Sequence, residues 1–232
     1  MPVKTHNGRP LLIDLALQGG GSHGAFTWGV LDRLLEEGQL RIEAISRTSA
    51  GAMNAAVLAH GWIEGEAAGA RAALDACWDR VETAAAFSPL QRTPLDRLFG
   101  CWSLDNSPVF IAFDNPRERP GTPRSAAEIL NRLNEVSFNA TLMKELRMIP
   151  LMRQVADPGS GEGKRWSQMR MHRITTELMT DLGFSSKLNG ERDFPWMLRD
   201  EGRRAASAFL ERHASDLGHC STTDIDVLLA EC

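Results

Sequence analysis

Apolar positions fall into short runs near the start of the chain and into helical stripes further on. Leu11–Gln18 is rich in Leu and Ile, is interrupted by Asp14 and stops at a glycine cluster. A run of that length reads as a buried parallel strand. From Ala25 to Glu37, Phe26, Val30, Leu31, Leu34 and Leu35 recur at helical spacing, and Gly38 ends the pattern. Ile42–Ser46 reads as a second strand, Ala50–His60 as a helix of small residues and Glu64–Val81 as a further helix. Strand, glycine turn, helix, strand, tight turn, helix opens an α/β fold, a parallel sheet with helices on both faces.

Prolines at 89, 94, 108, 116, 120 and 123 then break the pattern, leaving room for one short strand at Val109–Phe113. Helical spacing returns at Ser125–Ile149, near Trp166–Leu182 and at Pro195–His213, with a loop through Asp157-Pro158-Gly159-Ser160-Gly161. The second half is therefore mainly helical, and few later strands are available to complete the sheet. No internal repeat is visible.

Length and composition limit the function classes. With 232 residues and 43% hydrophobic content, the chain suits a single domain, 1–232. Within it, 11–115 carries the candidate chemistry and 116–232 is a helical distal part. A net charge of -4 gives no basic excess for nucleic acid. Leu11–Leu17 is too short for a secretory h-region, so a cytoplasmic location is expected. The 4 cysteines form no C-x-x-C, the 6 histidines form no H-x-x-x-H, and Tyr is absent. Neither a metal site nor a disulfide framework is expected.

Gly19-Gly20-Gly21-Ser22-His23-Gly24 lies between the first strand and the first helix. Such a loop brings backbone N–H groups close to an anion, aided by the positive end of the helix dipole. A structural turn, a dinucleotide loop and an oxyanion hole all fit, and Arg47 at the end of the second strand is where a 2′-phosphate partner could sit. Arg47-Thr48-Ser49-Ala50-Gly51 closes that strand and opens a helix. A serine there is either an N-cap or a nucleophile projected from a strained strand-to-helix turn. Ala50, Gly51, Ala52, Ala55 and Ala56 supply the small residues that a sharp turn needs.

Taken together, Leu17-Gln18-Gly19-Gly20-Gly21-Ser22-His23-Gly24-Ala25 and Ile45-Ser46-x-Thr48-Ser49-Ala50-Gly51-Ala52 resemble the patatin-like phospholipase family. The stretch from Asn115 to about residue 228 also looks like the distal part of bacterial members. The resemblance implies Ser49 as the nucleophile of a serine–aspartate dyad. It implies amides of Gly19, Gly20, Gly21 and Gly24 as the oxyanion hole, with Arg47 and Gly51 flanking the elbow. It further implies hydrolysis of an acyl lipid or phospholipid ester without a cofactor, and brings with it peripheral membrane contact.

The chain departs from the family pattern twice. Arg47 occupies the first position of G-x-S-x-G, where a long side chain should strain the turn. No Asp is followed by Gly, so the family's D-G-G or D-G-A aspartate is missing. The two matching blocks meet near Phe113-Asp114-Asn115, as though a central segment had been lost, which makes the fold incomplete and self-association an expectation. Asp114 is a weak substitute for the base, His23 reads as an orienting residue for the glycine loop, and Asp14 and Asp32 read as structural. An acyl-ester hydrolase, an inactive remnant that binds lipid or a partner, and a nucleotide-binding module remain open.

Overall fold

A computed structural model of the protein describes residues 10–104, 147–159, 161–182 and 184–224. Val109–Phe113 and Asp114 lie outside them. The chain divides into two compact units, Met1–Asn115 with Ile174–Ser215, and Pro116–Arg173 with Asp216–Cys232. The first contains every residue singled out for chemistry.

Its sheet consists, among the described residues, of β1 (Leu11–Leu17) and β2 (Leu40–Arg47), paired in parallel. The register runs from Leu11 opposite Leu40 to Leu17 opposite Arg47, and Glu43 is an extra residue between Ile42, which faces Ile13, and Ala44, which faces Asp14. That bulge shifts the phase of β2 by one position. Leu40, Ile42 and Ile45 are consequently half-buried despite uneven spacing. In β1, Leu11, Ile13, Leu15 and Leu17 are half-buried while Leu12, Asp14 and Ala16 are exposed. The strands are therefore present, but β1 alternates between covered and bare positions where its apolar run suggested burial throughout. Asp14 in β1 and Arg41 and Glu43 in β2 make the bare face tolerable to water.

Leu15, Leu17, Ile42 and Ile45 pack against a helical core. It is built by α1 (Gly24–Leu35), α2 (Ala50–Ala85) and, much later in sequence, α4 (Asp193–His213). α2 turns at Gly65–Glu66, where Glu66 has φ 51, so the sequence's two expected helices are its two arms. Trp28 of α1 stacks on Trp78 of α2 with ring centroids 5.9 Å apart and meets Trp196 of α4 edge-on at 5.1 Å. Leu31, Leu74, Phe194 and Leu198 complete the centre.

α1 and α4 approach closely enough for backbone contact. A Cβ on Gly29 would run into the Arg199 carbonyl, and one on Gly202 into the Phe26 carbonyl. Glycine is needed at both because a helix backbone cannot retreat as a flexible side chain can. Asp32, 1% exposed, ties the same three helices together through ion pairs with Arg71, Arg199 and Arg203. Burial works to raise its pKa, yet the hydrogen bond from Arg71 and the charges of Arg203 and Arg71 together bring it below the usual carboxylate value.

Two local expectations need correction. The proline-rich stretch holds a helix, α3 (Pro94–Leu98), started by Pro at its first turn and a capping box between Thr93 and Asp96. Trp166–Leu182 is not one helix. Helix spans Gly161–Ser167, residues 168–176 are non-helical, and a short second helix follows at Leu178–Asp181. The β-branched run Ile174-Thr175-Thr176 disfavours helix, and Thr176 spends its hydroxyl on Glu201. No helix among the described residues is long and apolar enough to cross a membrane.

Candidate active site

β1 ends at Leu17 and β2 at Arg47, directly opposite in register, so the segments following each strand start side by side. The first is the glycine loop, which bends through Gly20 (φ 143) and Gly21 (φ 57) into a 3-10 turn, Gly21–His23, and then α1. The second is the turn through Thr48 and Ser49 into α2. Ser49 has φ 47 and ψ −124, a conformation that a residue with a Cβ seldom takes. Its side chain makes no hydrogen bond that would mark it as the N-cap of α2. Such a backbone costs about 1–3 kcal/mol and persists only when the surroundings impose it.

The surroundings do so by contact. A Cβ on Gly19 would lie 2.8 Å from the Ser49 Cβ and 2.8 Å from the Thr48 carbonyl. One on Gly51 would lie 2.6 Å from the Leu17 carbonyl and 2.9 Å from that of Gln18. One on Gly24 would lie 2.6 Å from the Ala50 Cβ. Glycine loop, serine turn and helix start are thus packed backbone to backbone. The N–H groups of Gly51 and Ala52 bond to Thr48 and Ser49 carbonyls at 2.9 and 2.8 Å, closing the turn.

Residues outside the motifs hold this arrangement. Asn54, 2% exposed, donates to the Gly24 carbonyl at 2.8 Å and accepts from the Trp78 indole at 2.9 Å. It fastens α2 to the start of α1. A lone Asn in a helix of alanines was the available signal, and the sequence reading passed over it. On the far side, the His23 Nε2 and the buried Ser186 hydroxyl share a hydrogen bond of 2.7 Å. Burial, with the Lys187 charge added, lowers the His23 pKa from 6.5 to about 4, so the imidazole is neutral around pH 7. No sequence signal tied Ser186 to a loop more than 160 residues earlier.

Arg47 does not crowd the turn. It is the last residue of β2, opposite Leu17, and it is exposed. The unusual backbone falls on Ser49, two positions later, so the strain expected at Arg47 is absent. The reason is local: a strand residue points its side chain away from the chain path, and here that direction is open to solvent. Ser49 is also exposed, and among the described residues no carboxylate hydrogen-bonds to it. Asp32 is committed to its arginines, and Asp14 is exposed in mid-strand. The described residues contain no cluster of His, Cys, Asp and Glu able to hold a metal.

No curated protein and no solved structure matches the chain. The family model described as patatin-like phospholipase matches residues 15–214. That span takes in the end of β1, the glycine loop, the Ser49 turn and the helices of the core, and on it the chain belongs to the patatin-like phospholipase family.

Proposed function

We propose that the protein is a serine hydrolase of acyl-lipid esters, with Ser49 as nucleophile and the glycine loop as oxyanion hole. One observation carries this reading: Ser49 holds a left-handed backbone on a strand-to-helix turn while lying against Gly19. An N-cap needs no such strain, whereas a nucleophile lifted out of a sheet does. Ser49 would attack the ester carbonyl. Amides of Gly19, Gly20 and Gly21, supported by the N-terminal end of α1, would hold the negative oxygen of the tetrahedral intermediate, whereas the Gly24 N–H, expected to join them, is turned to the Gly21 and Ser22 carbonyls of the 3-10 turn.

Weak turnover is part of the proposal. No described carboxylate stands ready to take the serine proton, and Asp114 lies outside the described residues. An oxyanion hole with a positioned serine retains about 10³–10⁴ over water when a triad member is missing. The second reading, a lipid-binding remnant, draws on the same gap. Contact with a lipid surface would suit α3, where Leu95, Leu98 and Phe99 are 65%, 76% and 79% exposed while Asp96 is turned inward at 5%.

The test is covalent labelling together with turnover. A fluorophosphonate should attach to Ser49, and wild type should cleave short activated esters slowly while Ser49→Ala does not. Equal rates for the two proteins would remove Ser49 from the chemistry. Lipid binding without labelling would establish the remnant instead.

A further inference from the structure

The glycine loop has almost no side chains with which to hold its shape. Gly20 and Gly21 take backbone angles that leave them the widest conformational freedom, yet an oxyanion hole works only if its donors are already aimed. Two contacts, both to the 3-10 turn at Phe184–Leu188, fix the loop from its outer side. One is the 2.7 Å hydrogen bond from His23 to Ser186, which is 0% exposed. The other is Gly21 itself, seated so closely on the Lys187 carbonyl that a Cβ would collide with it. The His23 ring also meets Phe194 edge-on, with centroids 6.1 Å apart.

That turn is in its own right a fixed object. The Ser185 hydroxyl bonds to Ser103 at 2.8 Å and accepts from the Leu104 N–H at 3.0 Å. Asn189, fully buried, donates to the Trp102 carbonyl at 3.0 Å and accepts from the Glu191 N–H at 3.0 Å. Phe184–Leu188 is thereby bolted to residues 102–104 on one side and grips the glycine loop on the other.

We propose that His23 and Ser186 form a latch that aims the glycine-loop amides at Ser49, acting as positioning residues for the acyl transfer. The proposal rests on the hydrolase reading. The latch is a neutral imidazole hydrogen-bonded to a hydroxyl, so at neutral pH the contact does not depend on a charge on either partner.

Loss of the latch should be smaller than outright loss of an oxyanion donor, which costs about 10²–10³ in kcat. His23→Ala should therefore lower kcat on an activated ester by about 10- to 100-fold, with KM changed by no more than about twofold, because the aimed amides matter to the transition state and little to the ester. Ser186→Ala should do the same, and the double variant should be no worse than His23→Ala alone. His23→Gln, whose amide reaches as far as the imidazole Nε2, should restore most of kcat.

Independently of activity, the backbone order parameters of Gly20 and Gly21 should fall from about 0.85 toward 0.6 in His23→Ala while those of β1 and β2 stay unchanged. Unchanged order in the loop overturns the latch whatever the kinetics. A kcat in His23→Ala equal to wild type, with Ser49-dependent turnover intact, overturns its catalytic purpose and leaves the hydrolase reading standing. No Ser49-dependent turnover in wild type overturns the hydrolase reading itself.

Discussion

The Ser49 turn and the core between α1, α2 and α4 are both built by close backbone approach, and they use it oppositely. In the core, Gly29 and Gly202 let two helices touch, and the contact is surrounded by buried tryptophans and the Asp32 ion cluster. The two helices in contact there, α1 and α4, keep ordinary helical geometry, so the closeness is converted into packing. At the turn, Gly19 and Gly51 also allow close contact, but the residue packed between them carries φ 47 and is exposed to water. Closeness there is converted into strain. A region that sits strained and exposed against a well-packed support is the expected form of a site.

The largest effect should come from breaking the packed side. Gly202→Val places a branched Cβ against the Phe26 carbonyl, which belongs to a helix and cannot yield. We expect a loss above about 4 kcal/mol, enough to prevent folding of a domain of ordinary stability. Circular dichroism and thermal melting will show it. A folded variant with a melting point near wild type would mean that the helices separate easily.

The strained side should respond in the other direction. Ser49→Gly removes a Cβ from a left-handed position and should stabilise the protein by about 1 kcal/mol once the added chain entropy of glycine is subtracted, while abolishing ester cleavage. Ser49→Ala, which keeps the Cβ, should abolish cleavage with no gain in melting temperature. Equal melting temperatures for the two variants would show that the turn is not strained.

Arg47→Gly should have the smallest effect. Because Arg47 is an exposed strand-end residue, the substitution relieves nothing, and glycine in a strand should cost about 0.5–1 kcal/mol. A rise in melting temperature would restore the view that the arginine distorts the elbow.

Much of the candidate site's local geometry was legible in the sequence. Gly19–Gly24 and Ser49–Gly51 are local motifs, and their spacing places each between a strand and a helix whatever the rest of the chain does. The helices at Ala25–Glu37 and Pro195–His213 were legible as well, because their apolar stripes repeat within one element. α3 was missed although its Thr93-Pro94-Leu95-Asp96 start is a capping signal, since the surrounding prolines argued for irregular chain. Trp166–Leu182 was misread because its spacing suits a helix, while the bond of the Thr176 hydroxyl to Glu201 and the packing of Ile174 favour a non-helical path.

What the sequence determined by itself is the chemistry on offer: a serine flanked by small residues, a glycine-rich loop, and no D-G aspartate. These follow from residue type and short-range spacing. Tertiary structure alone decided that Arg47 is harmless, that Asn54 joins α1 to α2, and that Ser186 and Lys187 hold the loop. Contacts between residues far apart in the chain depend on where two strands end and how closely two helices approach. Those distances are set by the packing of the whole core, and no short stretch of the sequence contains them.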